Sequence, residues 1–401
     1  MRLSDIDVVS SDVYERGVPY EQFAYLRQHA PVFRQAIPHP GLVDEAWVVS
    51  RYEDVRTVSL DTERFSSAGG TTLRVPRSHN APPGSFISMD DPEHFRLRSI
   101  VSKAFTPRVI RTFELHFREL TVRVIEKALT QDRFDFVTGI AAELPLLAIC
   151  ELLGVPEVDR HRIFDWTNTL LGAEDPEYGG TPQTAMQAFM DLGGYTGGLI
   201  EQRRSDPRED VLSILANAGG EDLLSDVELQ GFSILLAAAG SETTRNNISH
   251  GLLALMDHRD QLEALRAEPE ALLATAVDEI TRFGSPVNSM VRTVVADTEV
   301  RGKHLGAGEL VAMFYGSANR DEDVFTRPDV FDIERHPNPH LGFGVGKHFC
   351  LGASLARIET NVMFSELLRR ADFRLAGPVR RLQSSFIHGI KELPVEATRL
   401  A

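Results

Sequence analysis

The stretch Leu341-Gly342-Phe343-Gly344-Val345-Gly346-Lys347-His348-Phe349-Cys350-Leu351-Gly352 constrains this chain more than any other. It holds one of only two cysteines, framed by glycines and followed by a helical pattern from Ala353 to Glu359. A cysteine at a helix N-terminus meets unpaired backbone N–H groups and the positive end of the dipole. Both favour thiolate over thiol. Gly344, Gly346 and Gly352 leave room where backbone must pass close to a flat ligand or to the sulfur. The loop reads as one built to hold a single anionic sulfur against a metal.

A second stretch has the opposite character. Ser225-Asp226-Val227-Glu228 is a capping box that opens a long helix over about 225–257, apolar on nearly every side from Phe232 to Ala239. In its middle sits Ala239-Gly240-Ser241-Glu242-Thr243-Thr244. A carboxylate without a partner is costly inside a protein, so an acid here needs a purpose. Gly240 would let a planar ligand approach, and a threonine hydroxyl bonded one turn back can bend the helix. The result would be a groove faced by an acid and an alcohol.

Two further clusters stand out. Asp90 to Arg98 opens a helix with Pro92 in its first turn, and His94 and Arg98, four apart, share a face. Glu279 and Arg282 share a face near the end of a helix over about 269–283, flanked by Val277, Ile280 and Phe283. Pro286 then forces extended chain through Val287, Asn288, Ser289, Met290 and Arg292.

Read together, Phe343 to Gly352 resembles the haem-ligand signature of the cytochrome P-450 superfamily, and Ala239 to Thr243 is similar to its oxygen-activation motif. The resemblance implies Cys350 as iron ligand and His94, Arg98, Arg292 and His348 as partners of the haem propionates. It implies Phe343 and Gly344 beside the sulfur, and Ala239 and Gly240 over the cofactor. Thr243 would attend oxygen activation and Glu242 would relay protons from solvent, since O–O cleavage needs protons on one side and an electron-rich thiolate on the other. Glu279, Arg282 and Arg335 would form a structural triad behind the haem loop. Val287, Asn288, Ser289 and Met290, with Phe386 and Ile387 from the C-terminal tail, would line the substrate pocket. His388 reads as a satisfied core histidine.

The expected fold is mainly α: a single large domain over 1–401, helix-rich, with small antiparallel β-sheets. Helices are expected at 19–30, 51–60, 107–130, 141–153, 158–171, 184–204 and 210–217, and from Cys350 to about 370. The runs 31–35 and 46–50 could pair as a hairpin. Gly69, Gly70, Pro76, Pro82, Pro83 and Gly84 make 66–92 a long irregular loop; the resemblance implies that it lies over the haem. Pro176, Gly179, Gly180 and Pro182 break the helical series at 175–182; the resemblance implies that this breaker and its flanking helices form a lid over the substrate channel. Gly193-Gly194 and Gly197-Gly198 weaken the next helix, for close packing or for flexing.

A net charge of −16 argues against nucleic acid as a partner. No apolar run is long enough for a membrane anchor, and Met1 to Asp7 lacks a signal-peptide core. Cys150 sits in apolar helix, so a disulfide with Cys350 is not expected, in keeping with a cytoplasmic protein.

The resemblance therefore implies a monomeric haem-thiolate monooxygenase with haem b as cofactor and O2 as co-substrate. It would hydroxylate a hydrophobic small molecule, with steroids, terpenoids and branched lipids closest in likeness. The chain carries no flavin, nicotinamide or iron–sulfur fingerprint, so electrons would come from a ferredoxin and its NAD(P)H-dependent reductase. The donor would dock near Cys350 on a patch of Lys103, Arg108, Arg111 and Lys347. A peroxide-driven peroxygenase and a haem-based sensor are the alternatives. Glu242 with Thr243 counts against the first, and a sensor would need neither relay nor lid.

Overall fold

The computed structural model describes residues 1–39, 41–74, 84–106, 111, 113–179, 181–220 and 223–400. Pro76, Pro82, Pro83, Arg108, Gly180 and the start of the expected helix 107–130 lie outside them.

Helices follow the three- and four-residue spacing of apolar side chains. In chain order they are α1 (Tyr20–His29), α2 (Tyr52–Leu60), α3 (Glu93–Ser102), α4 (Glu114–Ala128), α5 (Glu143–Leu152), α6 (Arg160–Leu171), α7 (Pro182–Ser205), α8 (Val211–Ala216), α9 (Asp226–Asp257), α10 (Arg259–Ala267), α11 (Pro269–Gly284), α12 (Tyr315–Ala318) and α13 (Ala353–Arg370). The sequence reading did not contain α10. That helix buries only Leu262 and Leu265, so its apolar signal is thin.

The capping box forms as expected: Ser225 Oγ accepts from Glu228 N at 3.3 Å, and Ser225 N donates to Glu228 Oε2 at 2.9 Å. From there α9 runs unbroken through the centre, packed by α5, α6, α7, α11 and α13. Leu229, Phe232, Ala237, Ile248 and Leu255 are among its buried residues. Each large side chain so buried contributes roughly 1.5–3 kcal/mol. Gly193 and Gly197 of α7 face Gln230 of α9, and Gln230 Nε2 donates to Gly193 O at 2.5 Å. For these two glycines close packing is the observed reason.

Strands β1 (Val32–Ala36) and β2 (Glu45–Val49) form the expected antiparallel pair. They continue into a five-stranded sheet ordered β1-β2-β8-β5-β3, with β3 (Phe65–Ser66), β5 (Ser289–Val294) and β8 (Leu310–Phe314). The β2–β8 pair is parallel, so this sheet is mixed. A parallel partner so distant in sequence leaves no turn signal to read. The remaining sheets are antiparallel: β4 (Arg133–Asp135), β12 (Pro394–Arg399) and β9 (Ala371–Leu375); β6 (Thr298–Val300) with β7 (Lys303–Leu305); β10 (Arg380–Arg381) with β11 (Ile390–Glu392).

Candidate active site

Between α9 and the loop before α13 lies a cavity of about 600 Å³. Its floor is the cysteine loop. Gly344 and Gly346 hold φ of +68° and +79°, a region that favours glycine, and so turn the chain back on itself. Cys350 N donates to Phe343 O at 2.9 Å, and Gly344 N to Leu341 O at 2.8 Å. Cys350 keeps open surface on the cavity while lying deep within the protein. Burial pushes its thiol up, against the Gly352 N–H and the charges of Arg98 and Arg357, which favour thiolate. A metal cation at the sulfur would reverse that balance.

The roof is one face of α9. Ala239, Gly240, Thr243, Thr244 and Asn247 line the cavity. Thr243 Oγ1 donates to Ala239 O at 2.7 Å. Two expectations need correction here. Glu242 does not face the groove: it is buried behind α9, bonded to Arg245 and accepting from Asn246 Nδ2 at 3.0 Å. Residues adjacent in a helix point about 100° apart, and here that rotation turns Glu242 toward Arg245 while Thr243 and Thr244 take the cavity side. Gly240 does not owe its lack of side chain to a ligand, because a Cβ there would meet Ile149 Cδ1 at 2.2 Å. It admits α5 against α9, and its backbone still reaches the cavity.

One edge of the cavity carries two arginines and a histidine. Arg98, Arg292 and His348 line it. His94 does not; it stands behind His348, their rings 4.3 Å apart, with Nδ1 against Asp91 at 3.1 Å. His94 Nε2 is buried with no hydrogen-bond partner. Arg292 is buried and, among the described residues, donates only to the Val291 carbonyl, at 2.9 Å, while Arg98 donates to Phe349 O. Neither arginine has a salt bridge to a carboxylate among the described residues. Desolvation lowers the pKa of both. Burial, with Arg292 and His94 nearby, takes His348 down to about 3. A buried Arg292 and a half-buried Arg98 without a carboxylate partner among the described residues call for an anionic guest, to which a neutral His348 can donate a hydrogen bond. A flat cofactor bearing carboxylates fits the floor, the roof and this edge together.

Val287, Met290, Phe386 and Ile387 line the apolar side, as expected. Asn288 and Ser289 do not, which corrects their assignment to the pocket. Both are buried: Asn288 Nδ2 donates to Ser384 O at 3.2 Å and Ser289 Oγ to Ser385 O at 2.9 Å, tying β5 to the C-terminal tail. Phe86, Phe232, Leu170, Leu171, Tyr315 and Arg74 also line the cavity. Thr244 and Asn247 could have been found, since they follow Gly240 by four and seven residues on one helical face. Arg74, Leu170 and Tyr315 carried no such signal.

At the mouth, charges tie three segments together. Arg74 donates to Glu174 Oε1 at 3.1 Å and to the carbonyls of Leu170 and Leu171 at 2.8 and 2.6 Å. Glu174 Oε2 accepts from Ser385 N at 2.9 Å, and Lys391 Nζ reaches Asp175 at 2.8 Å. The breaker after α6 is thus pinned to residue 74 and to the C-terminal tail.

Glu279 lies at the heart of the triad. Arg282 binds it with two bonds of 2.7 and 2.8 Å, and Arg335 Nε donates to it at 3.1 Å. Glu279 and Arg282 side chains are 0% exposed, and the spare guanidinium N–H groups take the carbonyls of Asn319, Pro328 and Thr326. His388 is a core histidine: its Nδ1 lies 2.6 Å from Gly284 O. Of the expected basic patch, Lys103 and Arg111 are exposed, but Lys347 is paired with Asp91 at 2.5 Å. Both cysteines are free. Among the described residues no helix is long and apolar enough to cross a membrane.

A cysteine sulfur on the cavity floor, a hydroxyl-bearing buried helix above it and two arginines without a carboxylate among the described residues at one edge are the arrangement of a haem-thiolate protein. Comparison with known proteins agrees. The cytochrome P-450 family model matches residues 178–385. A steroid C26-monooxygenase of Rhodococcus jostii is 43% identical, over 97% of this chain and 84% of that protein. A methyl-branched lipid omega-hydroxylase of Mycobacterium tuberculosis is 42% identical, over 98% of this chain and 95% of that protein. Among solved structures, a Mycobacterium marinum cytochrome P-450 in complex with pseudoionone superimposes with a TM-score of 0.90 at 35% identity, covering 97% of this chain and 98% of that one. CYP109E1 of Bacillus megaterium in complex with testosterone reaches 0.86 at 34% identity, covering 96% and 99%. The chain belongs to the cytochrome P-450 family. It is a monooxygenase that uses haem iron and O2.

Proposed function

We propose that this chain, as one domain over 1–401, uses haem b held through Cys350 to hydroxylate a steroid, terpenoid or branched lipid at a C–H bond. One observation carries the reading: the cavity that starts at Cys350 continues between Phe86, Phe232, Val287, Met290 and Phe386 as an apolar chamber. Such a chamber suits a large hydrocarbon body with little polar decoration. The relatives named for steroids and methyl-branched lipids support the same substrate class.

When bound, the haem supplies the one-electron and O2 chemistry. The chain's residues do the rest. Arg98, Arg292 and His348 hold the cofactor's carboxylates, with His94 behind His348. Ala239 and Gly240 cover its face without bulk. Phe343 and Gly344 pack beside the sulfur. Thr243 keeps its hydroxyl on the cavity wall, where it accepts and passes on a proton. Glu242 relays protons from solvent: for this its carboxyl leaves Arg245 and Asn246 and turns toward the wall. Glu279, Arg282 and Arg335 keep the cysteine loop rigid.

Electrons come from a ferredoxin and its NAD(P)H-dependent reductase. The donor docks beside Cys350 around Lys103 and Arg111, with Lys347 free only if Asp91 releases it. We place the protein in the cytoplasm as a monomer. Optical titration of the haem-loaded protein tests the substrate class. Sterols, methyl-branched fatty acids or terpenoid ketones should give a saturable spectral shift. No shift with any of the three classes would overturn this reading.

A further inference from the structure

Asp278 stands immediately before the triad's Glu279 on α11, and it faces a different partner set. Arg357 Nε, from the second turn of α13, donates to Asp278 Oδ1 at 2.9 Å. His340 Nε2 lies 3.5 Å from the same oxygen. Gly342 N donates to His340 Nδ1 at 3.2 Å, which leaves the ring proton on Nε2, directed at Asp278. The two partners of Asp278 then flank one aromatic ring. The Arg357 guanidinium lies 4.5 Å from the centroid of Phe343, and the His340 ring is 5.7 Å from it. The backbone carbonyl of Phe343 is the acceptor for the Cys350 N–H. One carboxylate thus fixes the cation and the imidazole that grip Phe343, and Phe343 fixes the cysteine backbone.

Resting on the reading of Cys350 as haem ligand, we propose that Asp278 is a positioning residue. Through Arg357 and His340 it sets both the geometry and the electrostatic field at the Cys350 sulfur. The pair also reaches the surface on that side: the side chains of Arg357 and Asp278 are 40% and 36% exposed. An electron donor arriving there would touch the groups that govern how readily the iron is reduced. Consecutive acids on α11 therefore divide the labour. Glu279, wholly enclosed, holds the scaffold, and Asp278, at the edge, holds the ligand loop.

Charge gives the test its sign. Reduction adds an electron next to the sulfur, so a nearby cation favours the reduced state and a nearby anion opposes it. Asp278→Asn leaves Arg357 uncompensated and should raise the reduction potential of the haem-loaded protein. Arg357→Gln should lower it. Each should move the ratio of reduced to oxidised protein, at a fixed applied potential, by roughly threefold or more. The double variant should return close to the parent. A merely structural role would not produce opposite signs that cancel. Unchanged potentials, or two shifts of the same sign, in a parent that shows thiolate ligation in its carbon monoxide spectrum would overturn the proposal alone. A parent without that spectrum would overturn the ligand assignment and this inference with it.

Discussion

Glu242 and Thr243 are sequence neighbours that α9 turns to different sides. Thr243 stands on the cavity wall, while Glu242 is buried against Arg245 and Asn246. The acid is engaged by a guanidinium and an amide on its own helix, while the alcohol, with no carboxylate partner among the described residues, faces the cavity.

Replacing Thr243 by Ala should leave electron consumption near the parent rate while diverting it to hydrogen peroxide. Peroxide and product measured against NAD(P)H consumed, with surrogate redox proteins, checks this. A variant that stays fully coupled removes Thr243 from the relay. Replacing Glu242 by Gln should slow turnover by about a hundredfold, the lower end for loss of a positioned proton donor, and enlarge the solvent isotope effect. If the parent works only with peroxide, the electron-transfer reading gives way to the peroxygenase.

Cys350→Ser should abolish the carbon monoxide spectrum diagnostic of thiolate ligation. Far-UV circular dichroism should remain that of the parent, because Cys350 contributes no core packing. Retention of the thiolate spectrum would exclude Cys350 as ligand.

Glu279→Ala strands two buried guanidinium groups, Arg282 and Arg335, without their carboxylate. Breaking a buried pair from one side costs about 3–5 kcal/mol. Denaturant unfolding should show that loss, together with a lower yield of haem-loaded protein. A change below about 1 kcal/mol would mean that the carbonyl partners of the two arginines suffice on their own.

Glu174→Gln removes the charge that joins Arg74 to the segment after α6, while amide hydrogen bonds remain available. Stopped-flow ligand binding should become faster in both directions with little change in Kd. In the parent, raising the salt from low to high ionic strength should mimic part of that acceleration. Rates insensitive to both would show that the latch does not limit entry.

Glu359, fully buried on α13 with Oε2 unpartnered, is pushed by burial up to about 8. Its folded pKa exceeds the unfolded value of 4.5. Below the unfolded value both states hold the proton and nothing is lost. Between the two values the unfolded chain releases its proton and the folded protein does not, so stability falls as pH rises toward 8. Glu359→Gln should remove that slope, stabilising the protein at pH 8 by on the order of a few kcal/mol and changing little near pH 4. Parallel stability profiles for parent and variant would show that Glu359 does not cause the slope.

Much was legible in advance because it depends on local order. The glycine pattern around Cys350 dictates a tight loop, the capping box dictates where α9 begins, and Glu279 with Arg282 dictates a shared face. The misassigned residues have a common cause. Glu242, Asn288 and Ser289 sit beside true cavity residues in sequence, but helix and strand geometry point neighbours in different directions, and sequence does not say which direction is inward. Arg74, Leu170 and Tyr315 were missed because each reaches the cavity from an element with no marker of its own.

The sequence by itself determined the chemistry: a sulfur in a glycine-framed loop, an alcohol in an apolar helix, and helical periodicity through most of the chain. These follow from residue type and short-range spacing, which survive any arrangement of the elements. Only tertiary structure decided which side chains meet. The parallel β2–β8 pairing, the chain of bonds from Arg74 through Glu174 to Ser385 and the Asp278–Arg357 pair beside Phe343 all join groups far apart in sequence. Long-range packing places such groups, and no local pattern encodes it.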